Sequence, residues 1–298
     1  MHYLGLDVGG TAIKAGVLDE TGKILTSRKA PTVTDDLRGF LSTLTELIGD
    51  FQNSYALDGI GIGVAGLHNS KTDVIEVSPN IPCLNNVNLK NSLADQVHLP
   101  IVTENDANAG AYAEFRCGAG EGSQQVIYLT LGTGLGSGLI LNGQLFTGAS
   151  GFGGELGHTI IDPNGRPCAC GARGCLETVV SGTGIVTTAR EKMKTDGPLT
   201  AQMVYEAAAR GDAAARAVFE ETAHWLGIAF LNLINLFNPE VIVLGGGVMA
   251  SGDMLLGAAA ATARLQAFGP ASRDCRIVQS KLWPDAGVIG AGLLARDR

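Results

Sequence analysis

Alternating apolar and polar positions, broken by glycine, open the chain. Tyr3–Val8 and Ile13–Leu18 read as two short strands around a Gly9-Gly10-Thr11 turn. Asp19-Glu20-Thr21-Gly22 makes a second turn and a third strand starts at Ile24, so three antiparallel strands are predicted. Helical periodicity covers Asp36 to Asn53, and a buried strand follows at Gly59–Val64. The stretch from Gly66 to Val87 reads as loop, 89–97 as a short helix and Ile101–Glu104 as a strand. A helix of small residues runs from Asp106 to about Phe115, and Gly118-Ala119-Gly120-Glu121-Gly122-Ser123 is the linker.

Beyond that linker the opening pattern returns. Gln125–Leu131 is a strand, Gly132-Thr133-Gly134-Leu135-Gly136 a glycine turn, Ser137–Leu141 a second strand and Asn142-Gly143 a tight hairpin turn. Strand, glycine loop, strand and polar turn thus recur at a separation of about 120 residues, which marks an internal repeat. Helices are predicted at 181–194, 198–210 and 212–237, a strand at Val241–Leu244, a Gly245-Gly246-Gly247 turn, a strand near 275–279 and a last helix of small residues over Ala286–Ala295. The expected division is a lobe of residues 1–118, joined by a C-terminal helix at 285–298, and a larger lobe of 119–284. Two glycine hairpins facing each other across a cleft would offer backbone N–H groups to phosphate oxygens from both walls.

A length of 298 residues suits two domains with their own cores. The formal charge is −8 and no Lys/Arg block occurs, which disfavours nucleic acid as a partner. The start lacks a basic segment followed by an apolar one, and the most apolar stretch, Leu226 to Phe237, is interrupted by Asn232 and Asn235. The expectation is a cytoplasmic protein with no membrane partner, in which six cysteines are not disulfides. The 42 glycines are bunched into loops, which suggests backbone held against ligands.

The first loop, Asp7-Val8-Gly9-Gly10-Thr11-Ala12-Ile13-Lys14, combines a carboxylate able to hold Mg²⁺ with glycines that let backbone approach a phosphate. As a plain sequence it is also an ordinary Gly-Gly hairpin. Gly61-Ile62-Gly63-Val64-Ala65-Gly66 matches a dinucleotide fingerprint in form, but no helix follows it, so a nicotinamide site is rejected. Instead this backbone is expected close to a substrate or a neighbouring strand. Glu104-Asn105-Asp106 joins a strand to a helix; taken alone it reads first as a helix cap, and beside two phosphate loops as a general base. His158, Cys168, Cys170 and Cys175 have the donor types and spacing of a closed, structural Zn²⁺ site, flanked by Glu155 and Glu177. Cys83, Cys117, Cys275, His68, His98 and His224 are given no role.

These pieces occur in one order: Asp7-x-Gly9-Gly10-Thr11-x-x-Lys14, Glu104-Asn105-Asp106, Leu131-Gly132-Thr133-Gly134-x-Gly136, Glu155-x-Gly157-His158, Cys168-x-Cys170-Gly171-x-x-Gly174-Cys175-x-Glu177 and Gly245-Gly246-Gly247. The set resembles the ROK family of sugar kinases and sugar-responsive repressors over essentially the whole chain. The resemblance implies an α/β, actin-like ATPase fold of two RNase H-like lobes with ATP and Mg²⁺ in the cleft. It also implies transfer of the γ-phosphate to a hexose hydroxyl, commonly O6. Carried over, Asp106 would be the base, and Asn105, Asn80, Glu155, His158 and Glu177 would contact the sugar, with Gly66 close by. Asp7, Gly9, Gly10, Thr11 and Lys14, Gly132, Thr133 and Gly134, and Gly245, Gly246 and Gly247 would hold the nucleotide. Family repressors carry an N-terminal helix-turn-helix, for which a first strand starting at Tyr3 leaves no room. Glucokinases look most similar, through Ser78-Pro79-Asn80 and Glu155-Leu156-Gly157-His158. Kinases of N-acetylmannosamine, N-acetylglucosamine or fructose, and a non-catalytic sugar sensor, are the alternatives. A homodimer is the family expectation.

Overall fold

The computed structural model describes residues 1–195, 197–249 and 254–298 in full, with the backbone of 250, 251 and 253. Along the chain run β1 (Tyr3–Val8), β2 (Ala12–Leu18), β3 (Ile24–Pro31), α1 (Leu37–Gln52), β4 (Gly59–Val64), β5 (Leu67–Asn69), β6 (Val74–Val77), α2 (Leu89–Leu93), β7 (Ile101–Asn105) and α3 (Asp106–Cys117). Then come β8 (Val126–Leu131), β9 (Leu135–Leu141), β10 (Gln144–Phe146), α4 (Glu177–Val180), α5 (Gly182–Met193), α6 (Ala201–Ala209) and α7 (Ala213–Phe237). The chain finishes with β11 (Val241–Gly245), α8 (Asp253–Gln266), α9 (Gly269–Asp274), β12 (Arg276–Gln279) and α10 (Ala286–Asp297). One compact unit holds Met1–Gly122, Gly138–Gly154 and Lys281–Arg298; the other holds Ser123–Ser137 and Glu155–Ser280. Residues 138–154, placed by the sequence with the larger lobe, fall in the first unit.

The repeat predicted from the glycine hairpins is real. One sheet has the order β3-β2-β1-β4-β7 and the other β10-β9-β8-β11-β12, the same topology met twice. In the first sheet β1 pairs antiparallel with β2 and parallel with β4, with Asp7 opposite Lys14 and Gly63. Asn142 and Gly143 both have positive φ, 54° and 72°, as the tight turn between β9 and β10 requires.

Residue alternation explains how the first sheet is covered. Leu4, Leu6 and Val8, with Ile60, Ile62 and Val64, share a core with Phe40, Leu44 and Ile48 of α1. The other face presents Gly5 from β1 and Gly59, Gly61 and Gly63 from β4, and on it lies α10. A Cβ on Gly61 would stand 1.8 Å from the Ala291 carbonyl oxygen, and one on Gly5 1.9 Å from that of Val288. Within the Gly61–Gly66 motif, Gly61 meets α10, Gly63 the first turns of α3, and Gly66 the end of strand β6, where a Cβ would stand 2.6 Å from the Val77 carbonyl oxygen, so the neighbouring strand expected of this backbone is met at Gly66.

Two parts of the sequence reading were incomplete. The 66–87 loop contains the β5–β6 hairpin, whose strands of three and four residues are too short to show alternation. Nothing was predicted over 248–274, yet α8 and α9 occupy much of it. The Gly257–Ala261 run has small residues on every side and no apolar stripe. It packs on α7, where a Cβ at Gly227 would come within 2.5 Å of Thr262.

Gly61→Ala is expected to destabilise the protein by about 1–3 kcal/mol, because main chain faces the added methyl. Gly49→Ala, inside α1 with nothing within 4 Å of the new methyl, should stabilise by about 0.5–1 kcal/mol. Denaturant unfolding of the two variants beside the parent checks both signs.

Candidate active site and metal centre

In the first unit, β1 delivers Asp7 to the sheet face that α10 covers. A Cβ at Gly287, in the first turn of α10, would lie 2.7 Å from Asp7 Cγ, so glycine there makes room for the carboxylate. Lys14 Nζ, from the opposing strand, is 3.6 Å from Asp7 Oδ2 and donates to the Pro284 carbonyl at 3.0 Å. Burial pushes the Asp7 carboxyl above the ordinary aspartate range; the Lys14 ammonium opposes the shift and Asp285 adds to it. Gly9 N–H donates to Ala12 O, and the turn is pinned from outside by Thr32, which donates Oγ1–H to Gly9 O and N–H to Thr11 O. Thr32 carries no motif and was not anticipated. Gly10 faces Asn80, whose Cβ would be 2.8 Å from a Cβ on Gly10. The first glycine turn and Asn80 are therefore neighbours.

The end of β7 positions Asn105 and Asp106. Asn105 caps α3, its Oδ1 accepting from the N–H groups of Ala107 and Asn108 at 2.9 and 3.0 Å. Capping thus belongs to Asn105, and Asp106 is the first residue of the helix, half-buried, with Oδ1 accepting the Ala107 N–H at 2.9 Å. Asn105 Nδ2 donates to Gly66 O at 3.0 Å, which leaves its amide one further N–H to give. Gly63 sits beneath this turn, where a Cβ would lie 3.5 Å from Asp106 Cα. Behind it, the buried Glu104 accepts from the Asn105 N–H, from Asn108 Nδ2 and from Arg298 at 3.0, 3.1 and 2.9 Å. Every oxygen of that buried charge has a donor, so it fixes the turn rather than destabilising it.

In the second unit, the Gly132-Thr133-Gly134 turn is anchored to the start of α5. Gly182 and Thr183 donate N–H groups to the carbonyls of Gly132 and Thr133 at 2.8 and 3.3 Å, and Thr183 Oγ1 donates to Thr133 O at 2.9 Å. Gly246, at φ 90°, lies so close to Leu131 that a Cβ would be 2.3 Å from its carbonyl oxygen. These segments open on a cavity of ≈ 510 Å³ lined by Gly132, Thr133, Thr183, Thr187, Arg190 and Gly247 among others. Thr183, Thr187 and Arg190 were missed because they stand at helical spacing inside an amphipathic segment, with no glycine signal of their own.

Glu177 opens α4, and its Oε2 accepts the Leu135 N–H at 2.8 Å; a Cβ on Gly134 would lie 2.4 Å from that oxygen. The second glycine turn and the cysteine loop are therefore held by one carboxylate. Glu155 is exposed as a residue, yet partial burial of its carboxyl raises its pKa; His158 opposes this and the Glu177 charge reinforces it.

The ligating atoms of His158, Cys168, Cys170 and Cys175 all lie within 4.8 Å of one another. Cys170 Sγ and Cys175 Sγ are 3.6 Å apart, as are Cys168 Sγ and His158 Nδ1. A tetrahedral zinc ion with Zn–S bonds of about 2.3 Å has S···S edges of about 3.7 Å, so the donor set fits one. Burial, with the neighbouring sulfurs, pushes the Cys175 thiol up to about 12, and a bound cation would reverse that shift by stabilising the thiolate. The three cysteines of scattered position, Cys83, Cys117 and Cys275, stand outside the cluster.

Comparison with known proteins places these features in context. The profile of the ROK family matches residues 3–298. A glucokinase of Halalkalibacterium halodurans is 38% identical over 315 aligned positions, covering 99% of this chain and 95% of that protein. The crystal structure of a ROK family glucokinase from Streptomyces griseus, in complex with glucose and AMPPNP, superposes with a TM-score of 0.88 at 35% identity over the full length of both chains. A ROK hexokinase from Thermus thermophilus gives a TM-score of 0.85 at 32% identity, with 99% of this chain and 98% of that one covered. No helix among the described residues is long and apolar enough to cross a membrane.

The raised Asp7 pKa has a stability consequence of definite sign. The folded chain binds the Asp7 proton more tightly than the unfolded chain, so ionisation costs stability as pH rises from the ordinary aspartate range through the folded value. Asp7→Asn is expected to melt at a higher temperature than the parent at pH 7 and to lose that advantage below about pH 4. A melting difference that is the same at both pH values would contradict the assignment.

Proposed function

The chain belongs to the ROK family and has its actin-like ATPase fold, and from that premise we propose how its residues serve a hexose kinase that transfers the γ-phosphoryl group of ATP to O6 of glucose. The observation that carries the reading is full-length similarity to a glucokinase solved with glucose and AMPPNP, in a chain that retains both glycine turns, Asn105-Asp106 and the Glu155-Leu156-Gly157-His158 segment.

Asp106 is assigned as general base. Its place in the first turn of α3 is fixed by the Asn105 cap and the Glu104 contacts, so its carboxylate is held without a large entropic cost on binding. It takes the O6 proton as the bond to phosphorus forms. Asn105 spends its remaining N–H on a sugar hydroxyl, with Asn80 and the Gly66 backbone nearby. Glu155, His158 and Glu177 complete the sugar contacts. In His158, Nδ1 faces Cys168, which leaves Nε2–H to donate to a hydroxyl. Structural zinc on His158, Cys168, Cys170 and Cys175 would supply a fixed loop conformation and that tautomer.

The nucleoside is assigned to the ≈ 510 Å³ cavity and its phosphates to Gly132, Thr133 and Gly134, with Gly245, Gly246 and Gly247 beside them. From the first unit Gly9, Gly10, Thr11 and Lys14 contribute backbone N–H groups, a hydroxyl and a positive charge. Asp7 is the protein carboxylate that would hold Mg²⁺ brought with the nucleotide, which would supply charge neutralisation at the transferring group. Exclusion of water from the sugar site protects the phosphoryl group from hydrolysis. The same reading includes a cytoplasmic homodimer that commits glucose to glycolysis, which light scattering of the purified chain tests for assembly.

A coupled ADP-release assay over glucose, mannose, fructose, N-acetylglucosamine and N-acetylmannosamine should give the highest kcat/KM for glucose. Asp106→Ala should lower kcat by roughly 10²–10⁴ while glucose binding survives; near-parental turnover would remove Asp106 from the base role. Metal analysis should find about one zinc per chain in the parent and its loss in Cys168→Ser and Cys170→Ser, with a raised KM for glucose.

A further inference from the structure

The loop that carries the cysteines crosses over itself. The Arg166 carbonyl accepts the Gly174 N–H at 2.8 Å, the Gly174 carbonyl accepts the Ile161 N–H at 2.9 Å, and Pro167 bridges Arg173. Apolar packing does not close its inner face, where a cavity of ≈ 170 Å³ is lined by Asp162, Arg166, Cys175, Thr178, Glu221 and Trp225 among others. What spans from this loop to the helices is a guanidinium. Arg166 Nη1 donates to the Thr178 carbonyl at 3.0 Å and to Thr188 Oγ1 at 2.9 Å, and Nε and Nη2 donate to the two Glu191 oxygens at 3.2 and 2.6 Å. Its side chain is 22% exposed, against 59% for that of Glu191.

The partners lie in two functional directions. Thr178 follows Glu177, the carboxylate on the Leu135 N–H. Thr188 and Glu191 belong to α5, whose first residues hold the Gly132–Thr133 turn and whose Thr183, Thr187 and Arg190 line the larger cavity. We propose that Arg166 is a positioning residue that registers the cysteine loop on α5, so that ordering Glu155, His158 and Glu177 around a sugar also orders the α5 wall of the nucleotide cavity. This rests on the hexose-kinase reading above. Its consequence is positive coupling between glucose and nucleotide binding, most of which passes through Arg166 beside the direct Glu177–Leu135 contact. Lysine cannot replace it, because a single ammonium cannot serve a bidentate carboxylate, a carbonyl and a hydroxyl in one plane.

Isothermal titration of glucose into the zinc-loaded full chain, with and without AMPPNP, tests this. In the parent, AMPPNP should lower the glucose Kd by about tenfold or more. In Arg166→Met that ratio should fall below about threefold with zinc content unchanged, and Arg166→Lys should not restore it. Glu191→Gln, at an exposed side chain, should reduce the ratio partway; should Arg166→Met not fold, that variant decides. A parental ratio in Arg166→Met or, failing that, in Glu191→Gln overturns the proposal, and so does a parent with no coupling. A parent that phosphorylates none of the five sugars overturns the kinase reading instead, before any variant is made.

Discussion

Close approach of one main chain to another is the constraint on which both units depend. In the first, the Ala291 carbonyl occupies the space a Cβ would take on Gly61, and the Ala109 carbonyl the space of one on Gly290. Sheet, α10 and α3 are thereby locked backbone to backbone, a contact with few rotamers to freeze and no side-chain volume to rearrange. Asp7 and Asp106 both descend from this arrangement. Gly287 leaves room for the first carboxylate, and Gly63 lets the first turn of α3 settle low on the sheet. In the second unit the same device sets Gly182 on Gly132 and Gly134 on Glu177. A catalytic group delivered by main chain in this way is held more tightly than one at the end of a long, free side chain.

Charges are distributed by the same scaffold with different results. Glu104 is almost wholly buried, yet Asn105, Asn108 and Arg298 satisfy it, so it serves as a fixed anchor. Asp7 is less well provided for: burial works against its ionisation and Lys14 offsets only part of that. A carboxylate left short of donors by its own protein is suited to an external cation, which supplies the missing charge. Glu155 follows the same logic, since crowding and the Glu177 charge raise its pKa, and hydroxyl donors from a ligand would stabilise its ionised form.

What could be read from the sequence was whatever is local along it. The glycine turns, each copy of the repeated hairpin, the cysteine cluster and the strand-to-helix junction at Asn105 all declare themselves within fewer than twenty residues, because chain geometry alone brings their atoms together. The misreadings share the opposite cause. For Gly61, Gly63 and Gly66 the motif could suggest only a substrate or a neighbouring strand, because their partners, Ala291, Ala109 and Val77, belong to other segments and two of the three lie on helices. Thr32 and Arg166 carry no signature, since their roles exist only once distant carbonyls and helices are in place. Asn105 and Asp106 were separable only by ψ and hydrogen bonds: both are capping residue types, and the structure gives the cap to the first and makes the second the first residue of the helix.

The duplicated topology also explains why the two halves do not do the same work. In each sheet the fifth strand, β7 or β12, runs parallel to its neighbour and emerges at the same end. After β7 the chain enters α3 at once, and a carboxylate is held at that junction. After β12 it instead passes through Trp283-Pro284-Asp285 to α10, which lies on the first sheet. The face of β1 and β4 that carries Gly5, Gly59, Gly61 and Gly63 accepts only a helix whose own surface is small. Ala286-Gly287-Val288-Ile289-Gly290-Ala291-Gly292 provides that surface. The cost of duplicating one strand pattern is that the copies must diverge where helices cover them. At that point one junction holds the Asp106 carboxylate proposed as base, and the other leads to the helix that covers the Asp7 face.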